Sequence, residues 1–146
     1  MRSGTASKLN TTSKPAKKSL FGRFRKPSTA TDPIIASNIV DLTSDNFAIE
    51  LAGRTTIIDF WAPWCGPCRA LHPVYAALAS QHLNDALRFA RLNVDDFPDV
   101  AASMDIMSIP TIVVVDGNGK VVNRVVAPDR TQLTALVKQA SNSEAQ

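Results

Sequence analysis

The sequence predicts an α/β protein, a central mixed β-sheet flanked by helices, behind a disordered N-terminal tail. Three observations carry that prediction. Thr55 to Trp61 and Thr111 to Asp116 are nearly continuous runs of β-branched, aliphatic or aromatic residues, the mark of strands buried on both faces. Segments with helical spacing alternate with such runs, which builds parallel strands. Gly117-Asn118-Gly119 turns the chain straight back, so the last two strands are antiparallel and the sheet is mixed.

The elements follow in order. Ile34 to Leu42 mixes apolar with short polar residues and predicts a first strand. Thr43 or Ser44 can cap a short helix through Leu51, ended by Gly53. The strand Thr55 to Trp61 leads into a helix from about Cys65 to Leu83, with Leu71, Val74, Tyr75, Leu78 and Ala79 at helical spacing. Pro73 inside it removes a backbone donor and should kink it. Ala86 to Asn93 is a third strand, and Pro98 opens a short helix to Met104. The hairpin of Thr111–Asp116 and Lys120–Val126 comes next. Asp129 to Ala140 closes as an amphipathic helix with Leu133, Leu136 and Val137 inward. The order is βαβαβαββα, without internal repeat.

Charge divides the chain in two. Residues 1–31 hold eight Lys or Arg and no acid; the remainder holds the other eight basic residues and all 13 acids, a net −5. We place a basic, disordered leader at 1–33 and one domain at 34–146. The leader is rich in Ser, Thr, Lys and Pro and cannot bury enough surface to offset the entropy of ordering. It suits a solubilising tail. Its basic, Ser-rich, acid-free composition also suits an organelle transit peptide. Leu20, Phe21 and Phe24 among basic residues further suit weak binding to anionic lipid or nucleic acid. No apolar run approaches the ~20 residues that span a bilayer, nor the continuous stretch of a secretory signal. The expectation is a soluble, cytoplasmic protein, or an organellar one if the leader is a transit peptide.

Two cysteines are too few for a disulfide scaffold. Their placement points to chemistry. Cys65 follows a strand and opens a helix, where free N–H groups and the helix dipole favour a thiolate. Cys68 lies three residues on, on the same helical face, so the sulfurs can bond with little backbone movement. A four-residue loop is a poor staple, worth roughly 2 kcal/mol against about 3 for a 15-residue loop. A switch that opens and closes explains the pair better. Gly66 keeps one side open to a protein substrate, and Pro67 stiffens the loop at little cost in a first helical turn. The alternatives are a zinc half-site or two inert thiols. Zinc needs two further ligands, and the only histidines are His72 and His82. His72 stands one turn beyond Cys68 and is equally a surface residue, so no metal is expected.

Asp59-Phe60-Trp61-Ala62-Pro63-Trp64-Cys65-Gly66-Pro67-Cys68-Arg69 resembles the active-site segment of the thioredoxin family almost residue for residue. Arg91-Leu92-Asn93-Val94-Asp95 resembles the family's third central strand, and Ser108-Ile109-Pro110-Thr111 its cis-proline loop. The likeness spans residues 34–140 in order and spacing, and implies the thioredoxin fold. It also implies roles. Cys65 would attack a target disulfide, and Cys68, more buried, would resolve the mixed disulfide. Asp59 would manage the proton of Cys68. The residues support this independently, since a carboxyl inside Ile57-Ile58-Asp59-Phe60-Trp61 is costly to bury ionised, and burial raises its pKa. The alternative is a strand-end acid paired to a cation. Pro110 would be cis, with Ile109 before it pairing to the substrate chain like an added strand; the alternative is a simple strand-start proline. Trp64 would face substrate, and Trp61 would be core.

The same resemblance implies no bound cofactor, a redox-active Cys65–Cys68 disulfide and electrons from NADPH through a thioredoxin reductase. The implied partners are that reductase and disulfide-containing proteins. No nucleic acid is required, and the expected state is a monomer. Ala62-Pro63 and Arg69 look closest to a bacterial second-thioredoxin branch, whose N-terminal zinc module is absent here. Two departures stand out. Arg91 occupies a position usually held by Lys, and Arg holds its proton more firmly, which alters the coupling to Asp59. A glycine the family tends to place near Val126-Ala127-Pro128 is missing. Two other functions compete with disulfide reduction. An oxidase or isomerase of the same fold usually carries His inside the dipeptide, where this chain has Pro67. A non-catalytic binding subunit would not need both cysteines and Asp59.

Overall fold

The two continuous apolar runs lie side by side at the centre of the sheet. The computed structural model describes residues 38–83 and 86–144. Its elements are β1 (Ile39–Asp41), α1 (Phe47–Leu51), β2 (Thr56–Trp61), α2 (Gly66–Ser80), β3 (Arg88–Asn93), α3 (Pro98–Ser103), β4 (Thr111–Val115), β5 (Val121–Val126) and α4 (Arg130–Glu144). This is the βαβαβαββα order that the sequence predicts. The strands stand in the order β1-β3-β2-β4-β5. β3 pairs in parallel with β1 and β2, while β2–β4 and β4–β5 are antiparallel, so the sheet is mixed.

Register decides what shares a face. Asp41, Arg91 and Asp59 are Cα partners across β1, β3 and β2, and Ile112 on β4 continues the row. Alternate side chains point to opposite faces. One face therefore carries Ile57, Phe89, Ile112 and Val114 into a core closed by Leu71, Tyr75 and Leu78 of α2 and Leu133, Leu136 and Val137 of α4. The other carries Ile58, Phe60, Ala90, Leu92 and Val113 under Leu51 of α1 and Ala101 of α3. The row Asp41–Arg91–Asp59 belongs to the first face, beneath α2.

Local chemistry sets the ends. Thr43 Oγ1 accepts from the Asn46 N–H and Asn46 Oδ1 from the Thr43 N–H, a reciprocal cap one turn ahead of α1. Asp129 and Gln132 exchange the same pair of bonds at the start of α4. That helix runs four residues past the expected Ala140, through a polar stretch where apolar spacing gives no sign. α2 continues unbroken through Pro73 to Ser80. In the hairpin turn Gly119 takes φ +87°, and a Cβ on Gly117 would lie 3.0 Å from the backbone nitrogen of Arg54. Among the described residues no helix is long and apolar enough to cross a membrane. The expected leader at 1–33 and the expected strand residues 34–37 lie outside the described residues.

Candidate active site

β2 delivers the chain to the site. Past Trp61 it turns through Ala62-Pro63-Trp64, and Cys65 takes the N-cap of α2 with φ −82° and ψ 108°. Its Sγ accepts the backbone N–H of Cys68 at 3.2 Å, so one of the free donors of the helix end meets the sulfur. Cys65 and Cys68 form a disulfide, with Cα atoms 5.2 Å apart. Exposure barely separates them, at 4% and 2%. Surroundings do. Cys65 sits at the helix end beside the exposed Gly66 and Pro67. Cys68 lines a cavity of about 150 Å³ together with Asp59, Trp61, Arg69, His72 and Arg91.

Asp59 lies within β2, 1% exposed. Burial raises its carboxyl from 3.8 to about 7, and the Arg91 charge pulls the other way. Its Oδ1 is buried without a hydrogen-bond partner. Arg91, its register partner, donates its Nε–H to Asp41 Oδ1 at 2.7 Å and holds its guanidinium 4.8 Å over the Trp61 ring. The positive charge is thereby held beside Asp41 and Trp61 and acts on Asp59 through space. Trp61 departs from expectation. It is half-buried, not core, because it is the last residue of β2, where the sheet opens to the cavity. It packs on Ala62, Cys65 and Cys68 beneath Arg91.

On the open side Trp64 is 67% exposed and donates its Nε1–H to Asp95 Oδ2 at 2.7 Å. The Ile109–Pro110 bond is cis. Ile109 is half-buried against the cluster of Ala62, Cys65 and Cys68, and Met107 nearby in sequence is 92% exposed. The Pro110 carbonyl accepts the N–H of Ala127 at 2.8 Å. Ala127 has φ +47°, so the position without the expected glycine keeps a left-handed backbone.

The structure therefore brings Cys65, Cys68, Trp61 and Ile109 together and joins Asp59 and Arg91 to them through one cavity. Gly66 and Pro67 are exposed in the first turn of α2, and a Cβ on Gly66 would meet nothing within 4 Å. Three further residues emerge. Asp41 holds Arg91 from fifty positions away, and Asp95 holds Trp64 from thirty-one, neither visible in local sequence. His72 enters the cavity, and its i+4 spacing from Cys68 was the available signal. Among the described residues no group of three or more His, Cys, Asp or Glu could hold a metal ion.

Comparison with known proteins agrees with this geometry. The family model described as Thioredoxin matches residues 38–139. A thioredoxin of Chlorobaculum thiosulfatiphilum is 41% identical over 93 residues, covering 62% of this chain and 84% of the relative. A chloroplastic M-type thioredoxin of Chlamydomonas reinhardtii is 36% identical over 107 residues, 73% of this chain and 75% of the relative. The crystal structure of Malassezia sympodialis thioredoxin superimposes with a TM-score of 0.66 at 31% identity, over 71% of this chain and 92% of that one.

Proposed function

The chain belongs to the thioredoxin family and is a thiol-disulfide oxidoreductase, and from that premise we propose that it reduces protein disulfides with unequal roles for its two cysteines. One observation carries the proposal: a disulfide at a helix N-terminus, with a buried acid of pKa about 7 lining the same cavity as its second sulfur. In the reduced protein Cys65, facing the N–H groups of α2, is the thiolate. It attacks one sulfur of a target disulfide, the other leaves as a thiolate, and a mixed disulfide forms. Cys68 then gives its proton to the Asp59 carboxylate and attacks Cys65 Sγ. The second target thiolate leaves, and two electrons have passed from the cysteine pair to the target. The Cys65–Cys68 disulfide is the product of that step.

A base with pKa near the working pH both takes and returns a proton readily. The exposed Trp64, Gly66 and Pro67 and the half-buried Ile109 form the face that meets the target, with Ile109 pairing to an extended target segment. Pro67 within the dipeptide suits a reductant, and by analogy with the family its re-reduction falls to an NADPH-dependent thioredoxin reductase. Neither the oxidase or isomerase reading nor the binding-subunit reading is favoured. The bacterial second-thioredoxin kinship is proposed on Ala62-Pro63 and Arg69. We place the protein in the cytoplasm, or in an organelle where residues 1–33 serve as a transit leader ahead of the domain from 34. Trapping tests the roles. Cys68→Ser should accumulate target proteins on Cys65 as mixed disulfides released by dithiothreitol, whereas Cys65→Ser should trap none. Equal trapping by both variants would refute the assignment.

A further inference from the structure

We propose that Asp41 is a positioning residue for the buried acid: it holds the Arg91 guanidinium on its own side of β3, so that Asp59 stays an unpaired carboxyl able to exchange a proton. The consequence for turnover rests on Asp59 being the base of the resolving step.

Register gives Arg91 two possible partners. On β3 it has Asp41 of β1 as its Cα partner on one side and Asp59 of β2 on the other. Paired strands lie about 4.8 Å apart, and partners in register point to the same face. One guanidinium thus lies between two carboxyls, each one strand away. It takes Asp41. Arg91 Nε–H donates to Asp41 Oδ1 at 2.7 Å, whereas Asp59 Oδ1 is buried without a hydrogen-bond partner. Desolvation explains the choice. The Arg91 and Asp41 side chains are 28% and 73% exposed, so their pair keeps contact with water. A pair with Asp59 would draw both charges out of water.

The choice matters for chemistry. A carboxylate paired to arginine holds its charge far below neutral pH and takes a proton poorly. The charged and titratable groups facing Asp59 are Cys68, Arg69, His72 and Tyr75 of α2 and Arg91 of β3, while β4 presents Ile112. Arg91 is the one whose charge pulls Asp59 towards ionisation. Whatever restrains Arg91 therefore sets the acid. Without the Asp41 carboxylate, the contact with the Trp61 ring at 4.8 Å still keeps the guanidinium beside the cavity, now with no counter-charge. Its pull on Asp59 grows, and the proton leaves at lower pH. His72 does not offset this. Burial and Arg91 already hold its pKa below 6.5 and Asp41 opposes them, so losing Asp41 keeps the imidazole neutral at pH 7.

A ¹³C titration of the Asp59 side-chain carboxyl reads the effect directly, in the oxidised protein, where neither cysteine titrates. Its resonance is the one lost in Asp59→Asn. Asp41→Ala should lower the titration midpoint by about one pH unit, the low end of what a neighbouring arginine produces, and Asp41→Glu should return it towards the parent value. If the alanine variant fails to fold, Asp41→Asn keeps the shape, removes the charge and carries the same comparison. An ion pair that only stabilised the sheet would lower the urea midpoint and leave the carboxyl titration in place. An unchanged or raised carboxyl midpoint overturns the proposal. Single-turnover reduction of a coloured aryl disulfide, whose second thiolate leaves in the resolving step, tests the base separately. Its pH profile should move down with the carboxyl. If the carboxyl midpoint falls while that profile stays, Asp41 does set the acid and Asp59 is not the base of the resolving step.

Discussion

Asp59 makes the protein's stability depend on pH in an unusual direction. A paired or hydrogen-bonded carboxylate is stabilised as an anion and holds the fold together above its pKa. Here the folded-state pKa is raised, from 3.8 to about 7, chiefly by burial. The native state thus binds the proton more tightly than the unfolded chain does. Its contribution to stability is full below about pH 4 and is lost as pH rises through 7. A rise of that size corresponds to about 4 kcal/mol at most. Asp59→Asn removes that penalty. Urea unfolding should show the variant more stable than the parent at pH 8 by a few kcal/mol, with the gap closing towards pH 4. A gap independent of pH would mean the carboxyl is not the titrating group. The same burial that weakens the fold at high pH gives the acid its working pKa, so the substitution should trade turnover for stability.

At the scale of elements, the turn after β5 shows how a missing residue type can leave geometry intact. Ala127 keeps φ +47°, and its N–H still reaches the Pro110 carbonyl at 2.8 Å. The link between the β5 end and the cis-proline loop therefore survives without glycine. A Cβ in this region costs roughly 1–2 kcal/mol. Glycine would remove that cost while adding entropy to the unfolded chain, an offset of roughly 0.5–1 kcal/mol. Ala127→Gly should then raise stability by about 0.5–1 kcal/mol, seen as a higher midpoint in thermal unfolding, with the disulfide-reducing rate little changed. A lower midpoint would show that the alanine methyl makes contacts worth more than the strain. Helix ends are similarly uneven in what sequence reveals. Thr43 or Ser44 reads as a cap, because a short hydroxyl residue before an apolar run has one obvious use, and Thr43 makes its reciprocal bonds with Asn46 just ahead of α1. The extension of α4 past Ala140 is not, because Ser141 to Ser143 carry no apolar period.

At the scale of the whole molecule, the boundary of legibility is the sheet order. Asp59, Cys65 and Cys68 lie within ten residues, so one segment exposes their chemistry. Asp41 and Arg91 meet only because β3 enters between β1 and β2, which precede it in the chain. Alternating helices and strands imply parallel pairing, yet say nothing of which strands are neighbours. Trp61 reads as core in the sequence for a related reason: its place at the open end of β2 is set by neighbouring strands. Tyr75 shows the same dependence in the core itself. Periodicity puts it inward on α2, but its hydroxyl lies 2.8 Å from the Ile57 carbonyl of β2 and 2.6 Å from the Ala90 carbonyl of β3, and accepts the Ala90 N–H at 3.3 Å. One proton is shared between two carbonyls, and the ring packs edge-on against Phe89 at 5.6 Å. This fully buried side chain ties α2 to the two central parallel strands at once. Tyr75→Phe preserves the ring and deletes the tie, leaving buried carbonyls short of a donor at a cost of about 1–3 kcal/mol. The loss should appear in the global unfolding transition, as a lower urea midpoint with an unchanged slope, because no single element can release the hydroxyl's partners alone. Disulfide reduction per folded molecule should remain near the parent value, since the hydroxyl touches neither sulfur nor Asp59. An unchanged midpoint would mean the strand ladder satisfies both carbonyls without Tyr75.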